Sequence, residues 1–255
     1  MTTALITGGT VGIGHAFAKA LAQKGYDLVL ASRDEAGLLK IAEEFTAKYG
    51  ISVEVIPTDL AKREDVLALA ARIEDADRPI DMLINNAGFA VHDSLMIEDI
   101  SIHERAIDVM CLAVLILGGA AGRAMKARGY GSILNVTSSS ASITTGNYSA
   151  IKAWATVYTE GLSNELRGTG VKVTAVLPGW VKTEFHTRGG VKAHNLPDLV
   201  WIDIDALVRR ALKDLEAGKV LSIPTAKWGF AVGVGHFLPR RTIRWISRKL
   251  TSSRS

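Results

Sequence analysis

The chain has 255 residues, 48% of them hydrophobic, which suits one large α/β core better than two small ones. A single cysteine, Cys111, excludes a disulfide framework and any cysteine-based metal cluster, and it implies a reducing compartment. The net charge of +4 is unevenly spread, because residues 217–255 carry eight basic side chains and no acidic ones, so the basicity belongs to the tail.

In chain order, the start MTTALITGG lacks the basic opening and long apolar run of a secretory signal. Residues 3–7 (TALIT) predict a short buried strand, followed by a Gly-rich turn and a helix, GHAFAKALAQKG, that ends at Gly25. Strand YDLVLAS, helix EAGLLKIAEEFTAKYG, strand ISVEVIPTD, helix REDVLALAARIED and strand IDMLINNAG continue the alternation. A long helix over roughly 101–128 follows, then strand GSILNVTS, helix YSAIKAWATVYTEGLSNEL and strand VKVTAVLPG. The strongest apolar run, Ala106 to Ala121, is interrupted by Asp108 and falls short of the ~20 residues that span a bilayer. A soluble, cytoplasmic protein is expected.

Strands rich in Val, Ile and Leu without polar alternation are those of a parallel sheet covered on both faces. The expected fold is a Rossmann-type doubly wound α/β sheet of about seven strands, with ligands beyond the carboxyl ends of the strands. Residues 184–203 form the one long insertion without a period and predict a substrate lid, in which Phe185, Leu196, Leu199, Val200 and Trp201 suit an apolar substrate. LSIPT (221–225) predicts the seventh strand. One domain is therefore expected over 1–238, with a basic helix or tail over 239–255.

TGGTVGIG (residues 7–14) lies between the first strand and first helix. Gly8, Gly12 and Gly14, with Thr10 and Ile13 in the same turn, let backbone approach a diphosphate at the helix N-terminus. The next strand ends in Ser32-Arg33 instead of an acid; an acid would accept the 2′-hydroxyl of NAD, whereas this pair favours the 2′-phosphate of NADP(H). Asp59, with Leu60 after it, stands where an adenine amino group can donate, and Asn86, Ala87 and Gly88 let backbone approach a ribose.

GNYSAIKAW (146–154) places Tyr148 and Lys152 four residues apart, on one helix face. A phenol with its usual pKa near 10 is a poor base at neutral pH, and a neighbouring ammonium favours the phenolate. Lysine is also a poor residue for a packed helix face, which favours a chemical role for the pair. The six histidines show no metal-ligand spacing, so no metal is expected; His103 reads as a surface or packing residue, and His186 and His194 lie in the lid.

TGxxxGxG, Asp-Leu, NNAG, a Ser-rich strand end, YxxxK and Pro-Gly thus occur in order, each at a strand end. In this set the chain resembles the short-chain dehydrogenase/reductase family over nearly its whole length. The resemblance implies an NADP(H)-dependent oxidoreductase acting on a carbonyl or secondary alcohol, its substrate an apolar ketone, 3-oxoacyl or lipid-like compound. It further implies that Tyr148 is the acid/base, that Lys152 also holds the nicotinamide ribose, and that Ser138 orients the substrate oxygen, with Ser139 and Ser140 as alternatives in the run TSSSAS. After Pro178-Gly179, Val181 and Thr183 would meet the nicotinamide carboxamide.

One position departs from the family pattern: Met110, in IDVM, stands where an asparagine supports a water linked to the lysine. Either another polar group holds that water, or the protein binds cofactor and turns over little. Family members form dimers and tetramers through the helices that here span 104–121 and begin at 148, so a homodimer or homotetramer is expected.

In the tail, a helix over Arg240 to Leu250 would place Ile243, Ile246 and Leu250 on one stripe and Arg240, Arg241, Arg244 and Arg248 on another face. Such a helix either packs on its own domain or a partner subunit, or lies on anionic lipid as a peripheral membrane contact. No nucleic-acid partner is expected, since Trp245 is the tail helix's one stacking aromatic.

Overall fold

The computed structural model describes residues 2–181, 201–225 and 238–252, together with Gly229 and Gly233. Its strands are β1 (Thr3–Thr7), β2 (Asp27–Ser32), β3 (Val53–Pro57), β4 (Met82–Asn85), β5 (Gly131–Val136), β6 (Val171–Val176), β7 (Trp180–Val181), β8 (Trp201–Ile202) and β9 (Leu221–Ser222). The helices are α1 (Gly12–Ala22), α2 (Glu35–Tyr49), α3 (Arg63–Glu74), α4 (Ser101–Ile107), α5 (Ala113–Arg128), α6 (Asn147–Glu165), α7 (Ile204–Glu216) and α8 (Arg240–Ser252). Seven strands form one sheet in the order β3-β2-β1-β4-β5-β6-β9, and every pairing in it is parallel. The order reverses beside β1, which places the crevice at the carboxyl ends of β1 and β4.

Each face of the sheet buries its own apolar layer. On one, Phe17 and Leu21 of α1, Leu38 and Phe45 of α2 and Leu207 and Leu215 of α7 pack together. On the other, Leu69 and Ile73 of α3 meet Leu117 and Ala121 of α5 and Ile151 of α6. A large side chain fully removed from water in this way contributes about 1.5–3 kcal/mol, so the two layers explain why the strands carry no polar alternation.

Three expectations need correction. The long helix over 101–128 is as expected, but the apolar stretch in it is not too short: Ser101–Arg128 is continuous over 28 residues, long and apolar enough by composition to cross a membrane. Its apolar face is instead buried on α3 and the sheet. The seventh strand is shorter than LSIPT, because only Ala175 with Leu221 and Val176 with Ser222 are in register, and Pro224 has no N–H to give a ladder. Among the described side chains of α8 the buried ones are Ile243 and Ser247. The inward stripe therefore includes a polar residue, whose Oγ accepts the Thr144 N–H at 2.9 Å.

Residues 182–200, most of the expected lid with Thr183, Phe185, His186, His194, Leu196, Leu199 and Val200, lie outside the described residues. On either side of that segment β7 and β8 pair in parallel, and the Trp180 and Trp201 rings meet edge to face at 6.1 Å.

The β9 edge is held by Asp214 of α7, a buried carboxylate that accepts from Arg210 at 2.8 Å, Lys219 at 2.8 Å and Ser222 at 2.9 Å. Burial pushes its pKa up, but the three donors outweigh burial and leave it below the usual carboxylate value. Its contribution is thus present above the ordinary carboxylate range and lost as pH falls through the lowered value. Asp214→Ala should cost about 2 kcal/mol at neutral pH by denaturant unfolding, with the gap to the unmutated protein narrowing below about pH 4.

Candidate active site

The Gly-rich turn after β1 is shaped by contact as well as by dihedral angle. Gly8 and Gly12 have φ of 67° and 58°, where a side chain is strained. A Cβ on Gly14 would stand 2.2 Å from the Gly8 carbonyl oxygen and 2.4 Å from Asn86 Nδ2. Thr7 and Asn86 hold the turn closed: Thr7 Oγ1 accepts the N–H groups of Asn86 and Ala87, while Asn86 Nδ2 donates to the carbonyls of Thr7 and Gly8 at 3.0 and 3.1 Å. The Asn86 side-chain amide is therefore used on the protein itself, which leaves the backbone of Asn86, Ala87 and Gly88 as the part able to face a ligand. What remains is a turn lined by glycine backbone at the N-terminus of α1, the setting in which main-chain N–H groups take a phosphate.

At the end of β2, Arg33 is exposed and makes no ion pair among the described residues. The acid beside it, Asp34, is engaged elsewhere, since its Oδ1 accepts the Gly37 N–H at 3.0 Å and caps α2. Ser32 Oγ accepts the Asp34 N–H at 3.3 Å, which leaves its own proton to give.

At the end of β3, Asp59 accepts from Arg105 at 2.8 and 3.0 Å and from the Ala61 N–H at 3.1 Å. Burial raises its pKa, and these donors more than reverse that, so it stays a carboxylate. Arg105, on α4 and 46 residues away, carries no local sequence signal. The Leu60 side chain is buried in the core, which leaves its backbone as the part able to face a ligand.

Ser138, Tyr148 and Lys152 converge at the ends of β5 and the start of α6. Ser138 Oγ accepts the Ser140 N–H at 3.1 Å and is hydrogen-bonded to the Tyr148 hydroxyl. Ser139 instead gives its N–H to the Pro178 carbonyl at 2.8 Å. Lys152, only 6% exposed, donates to the Val136 carbonyl at 3.0 Å, with its Nζ 5.6 Å from the centre of the Tyr148 ring.

The electrostatics differ from the expectation in one respect. Burial pushes the Tyr148 phenol above its usual pKa, with the Ser138 hydrogen bond drawing it part of the way back. Burial also lowers the Lys152 ammonium to about 8. In the protein alone Tyr148 is therefore an acid that keeps its proton, because desolvation outweighs a lysine whose own charge is weakly held.

Met110 lies on a π-helical turn, Asp108–Leu112, between α4 and α5. It is 1% exposed, and a Cβ on Gly88 would lie 3.0 Å from its sulfur and 3.7 Å from Lys152 Nζ. The thioether thus fills the space beside the lysine. The neighbouring Cys111 thiol is pushed up to about 11 by burial, with the charge of Lys152 pulling it back, so it is a protonated, unreactive thiol.

Two supports escaped sequence reasoning. Asn85 donates to Asn135 at 2.9 Å and Asn135 to Thr159 at 2.9 Å, which ties β4 through β5 to α6. His103, buried, meets the Ser94 carbonyl through Nε2 at 3.0 Å and Asn147 through Nδ1 at 3.3 Å, which steadies the first turn of α6 just before Tyr148. Of the remaining expected contacts, the Val181 side chain is buried in the core, which leaves its backbone as the part able to face a ligand, and Thr183 lies outside the described residues.

A family model described as short chain dehydrogenase matches residues 2–190. An uncharacterized oxidoreductase of Staphylococcus saprophyticus is 34% identical over 71% of this chain and 78% of its own length. A short-chain dehydrogenase from Sphingobium yanoikuyae, solved in complex with NADPH, is 31% identical and superposes with a TM-score of 0.83 over 94% of this chain and 96% of that one. The bulky-bulky ketone specific alcohol dehydrogenase from Comamonas testosteroni is 26% identical, with a TM-score of 0.79 over 94% and 96% of the two chains.

Because the missing side chain at position 14 is occupied space, Gly14→Ala should destabilise the fold by about 3 kcal/mol. Gly25→Ala, whose Cβ would meet nothing within 4 Å, should cost about 1 kcal/mol through its positive φ alone. Thermal unfolding of the two variants side by side checks the ordering.

Proposed function

The chain belongs to the short-chain dehydrogenase/reductase family of oxidoreductases, and we propose that it reduces an apolar ketone or related carbonyl with NADPH, or oxidises the matching alcohol. The observation that carries this reading is the meeting of Ser138, Tyr148 and Lys152 at the same sheet edge as the Gly8–Gly14 turn. The NADPH complex of the Sphingobium relative supports the cofactor, and the ketone specificity of the Comamonas relative supports the substrate class. The residues present fit a dinucleotide: a backbone cradle that a Cβ would fill, an exposed Arg33 in no ion pair among the described residues, with Ser32, for a 2′-phosphate, and Asp59 for the adenine amino group. Asp34, turned into the α2 cap, is poorly placed to act as the ribose-binding acid of an NAD site.

When bound, the cofactor supplies the hydride to the carbonyl carbon. Tyr148 then gives its phenolic proton to the carbonyl oxygen as negative charge grows there. Ser138, which already accepts the Ser140 N–H, has its O–H left to hold Tyr148 or the substrate oxygen in line. Lys152 spends one N–H on the Val136 carbonyl and keeps two for ribose hydroxyls, and its charge stabilises the phenolate left behind. A tyrosine whose proton is held tightly by burial favours the reducing direction.

A second reading, cofactor binding with little turnover, is favoured by Met110, whose sulfur cannot support a water beside Lys152 as an amide does. Exposed Leu115 and Val157 and the stacked pair Trp154 and Tyr158 support a homo-oligomer through α5 and α6.

Tyr148→Phe should lower turnover on a ketone panel about 10³-fold while cofactor binding persists; no turnover by the unmutated protein on any panel member would instead favour the second reading. Met110→Asn should leave cofactor affinity unchanged and raise kcat, and an unchanged or lower kcat would count against a water relay at that position. In the reducing direction, kcat/KM for the cofactor should fall as pH rises past about 8, where Lys152 of the free protein gives up its proton. Lys152→Arg, always charged, should push that limb upward if activity survives.

A further inference from the structure

We propose that the outward face of α8 docks on an anionic membrane surface. Arg240, Arg241, Arg244, Arg248 and Lys249 are all exposed, and Arg240–Ser252 contains no acidic residue. None of the four arginines is in an ion pair among the described residues. The rotation of the helix is fixed by its other side, where Ile243 and Ser247 are buried and the Ser247 hydroxyl takes the Thr144 N–H. Arg241, Arg244, Trp245 and Arg248, spaced i, i+3, i+4 and i+7, therefore form one outward stripe opposite the docked one.

Trp245 marks the kind of surface. It is 56% exposed, with Lys249 Nζ 4.3 Å from its ring centre. An aromatic ring ringed by cations fits the headgroup layer of a bilayer, where tryptophan concentrates and each nearby cation strengthens attachment to anionic lipid about fivefold. A polynucleotide track would need a row of stacking aromatics, and the helix offers one.

The anchor also orients the site. Thr144 lies in sequence between Ser138 and Tyr148 and meets the inner side of α8 through Ser247, so the segment that carries both residues stands one helix diameter, about 10 Å, behind a membrane on the outer side. On the reductase reading, and resting on it, a carbonyl compound dissolved in the bilayer would arrive from that side. Membrane attachment itself needs no turnover and is tested apart from it.

The test is co-sedimentation of the full chain with phosphatidylcholine vesicles, with and without phosphatidylglycerol, at low and high salt, beside a fluorescence titration with duplex DNA and with single-stranded RNA. The expected result is binding only to the phosphatidylglycerol vesicles, lost at about 0.5 M salt. The triple variant Arg241→Glu, Arg244→Glu, Arg248→Glu should lose more than a hundredfold in vesicle affinity, at about fivefold per cation removed, with an unchanged melting temperature and unchanged cofactor binding. Equal binding to neutral vesicles, no binding to either, an unaffected variant, or tighter binding to DNA or RNA at the same salt would each overturn the proposal.

Discussion

The candidate site depends on burying an ammonium at the carboxyl edge of a parallel sheet. Lys152 has lost nearly all its water, and one main-chain carbonyl, that of Val136, takes its place on one N–H. A charge so placed is costly unless partners arrive for it, and the cost is visible in its lowered pKa. It follows that the lysine is poised for oxygen ligands from outside the protein. The same desolvation keeps the proton on Tyr148, so one environment sets an acid and a weakly held cation side by side.

That environment exists because separate elements are tied together at one edge. Thr7 and Asn86 bind the end of β1 to the end of β4, Asn85 and Asn135 bind β4 to β5, and Asn135 reaches Thr159 in α6. The chain of hydrogen bonds runs from the Gly-rich turn to the helix that carries Tyr148 and Lys152. Each link is buried or half-buried, where an unpaired amide costs about 1–3 kcal/mol, so the turn and the tyrosine cannot shift independently. Met110 is the exception to the polar character of this layer, an apolar filler set by a π-helical turn where backbone geometry is already irregular.

Features with local causes were legible in the sequence. Apolar strands, helix periods, Gly-rich turns and the four-residue spacing of Tyr148 and Lys152 each lie within a few positions, and the sheet and its active edge follow from them. What escaped depends on distant partners or on solvent. Nothing near Asp59 announces Arg105, nothing near Thr144 announces Ser247 at a separation of 103 residues, and the spacing that pairs Tyr148 with Lys152 is silent about burial, which reverses the expected direction of the tyrosine shift. The short seventh strand was legible in principle, through Pro224.

Sheet edge, glycine cradle and buried acid together describe a protein built to present a nicotinamide to a carbonyl, and Arg33 is the residue that should choose which nicotinamide. Calorimetric titration of the unmutated protein with NADPH and with NADH tests that claim most directly. The account predicts that NADPH binds at least tenfold tighter, a difference of about 1.4 kcal/mol. Equal or NADH-favoured binding would contradict the role of Arg33, and no binding of either would contradict the dinucleotide site itself.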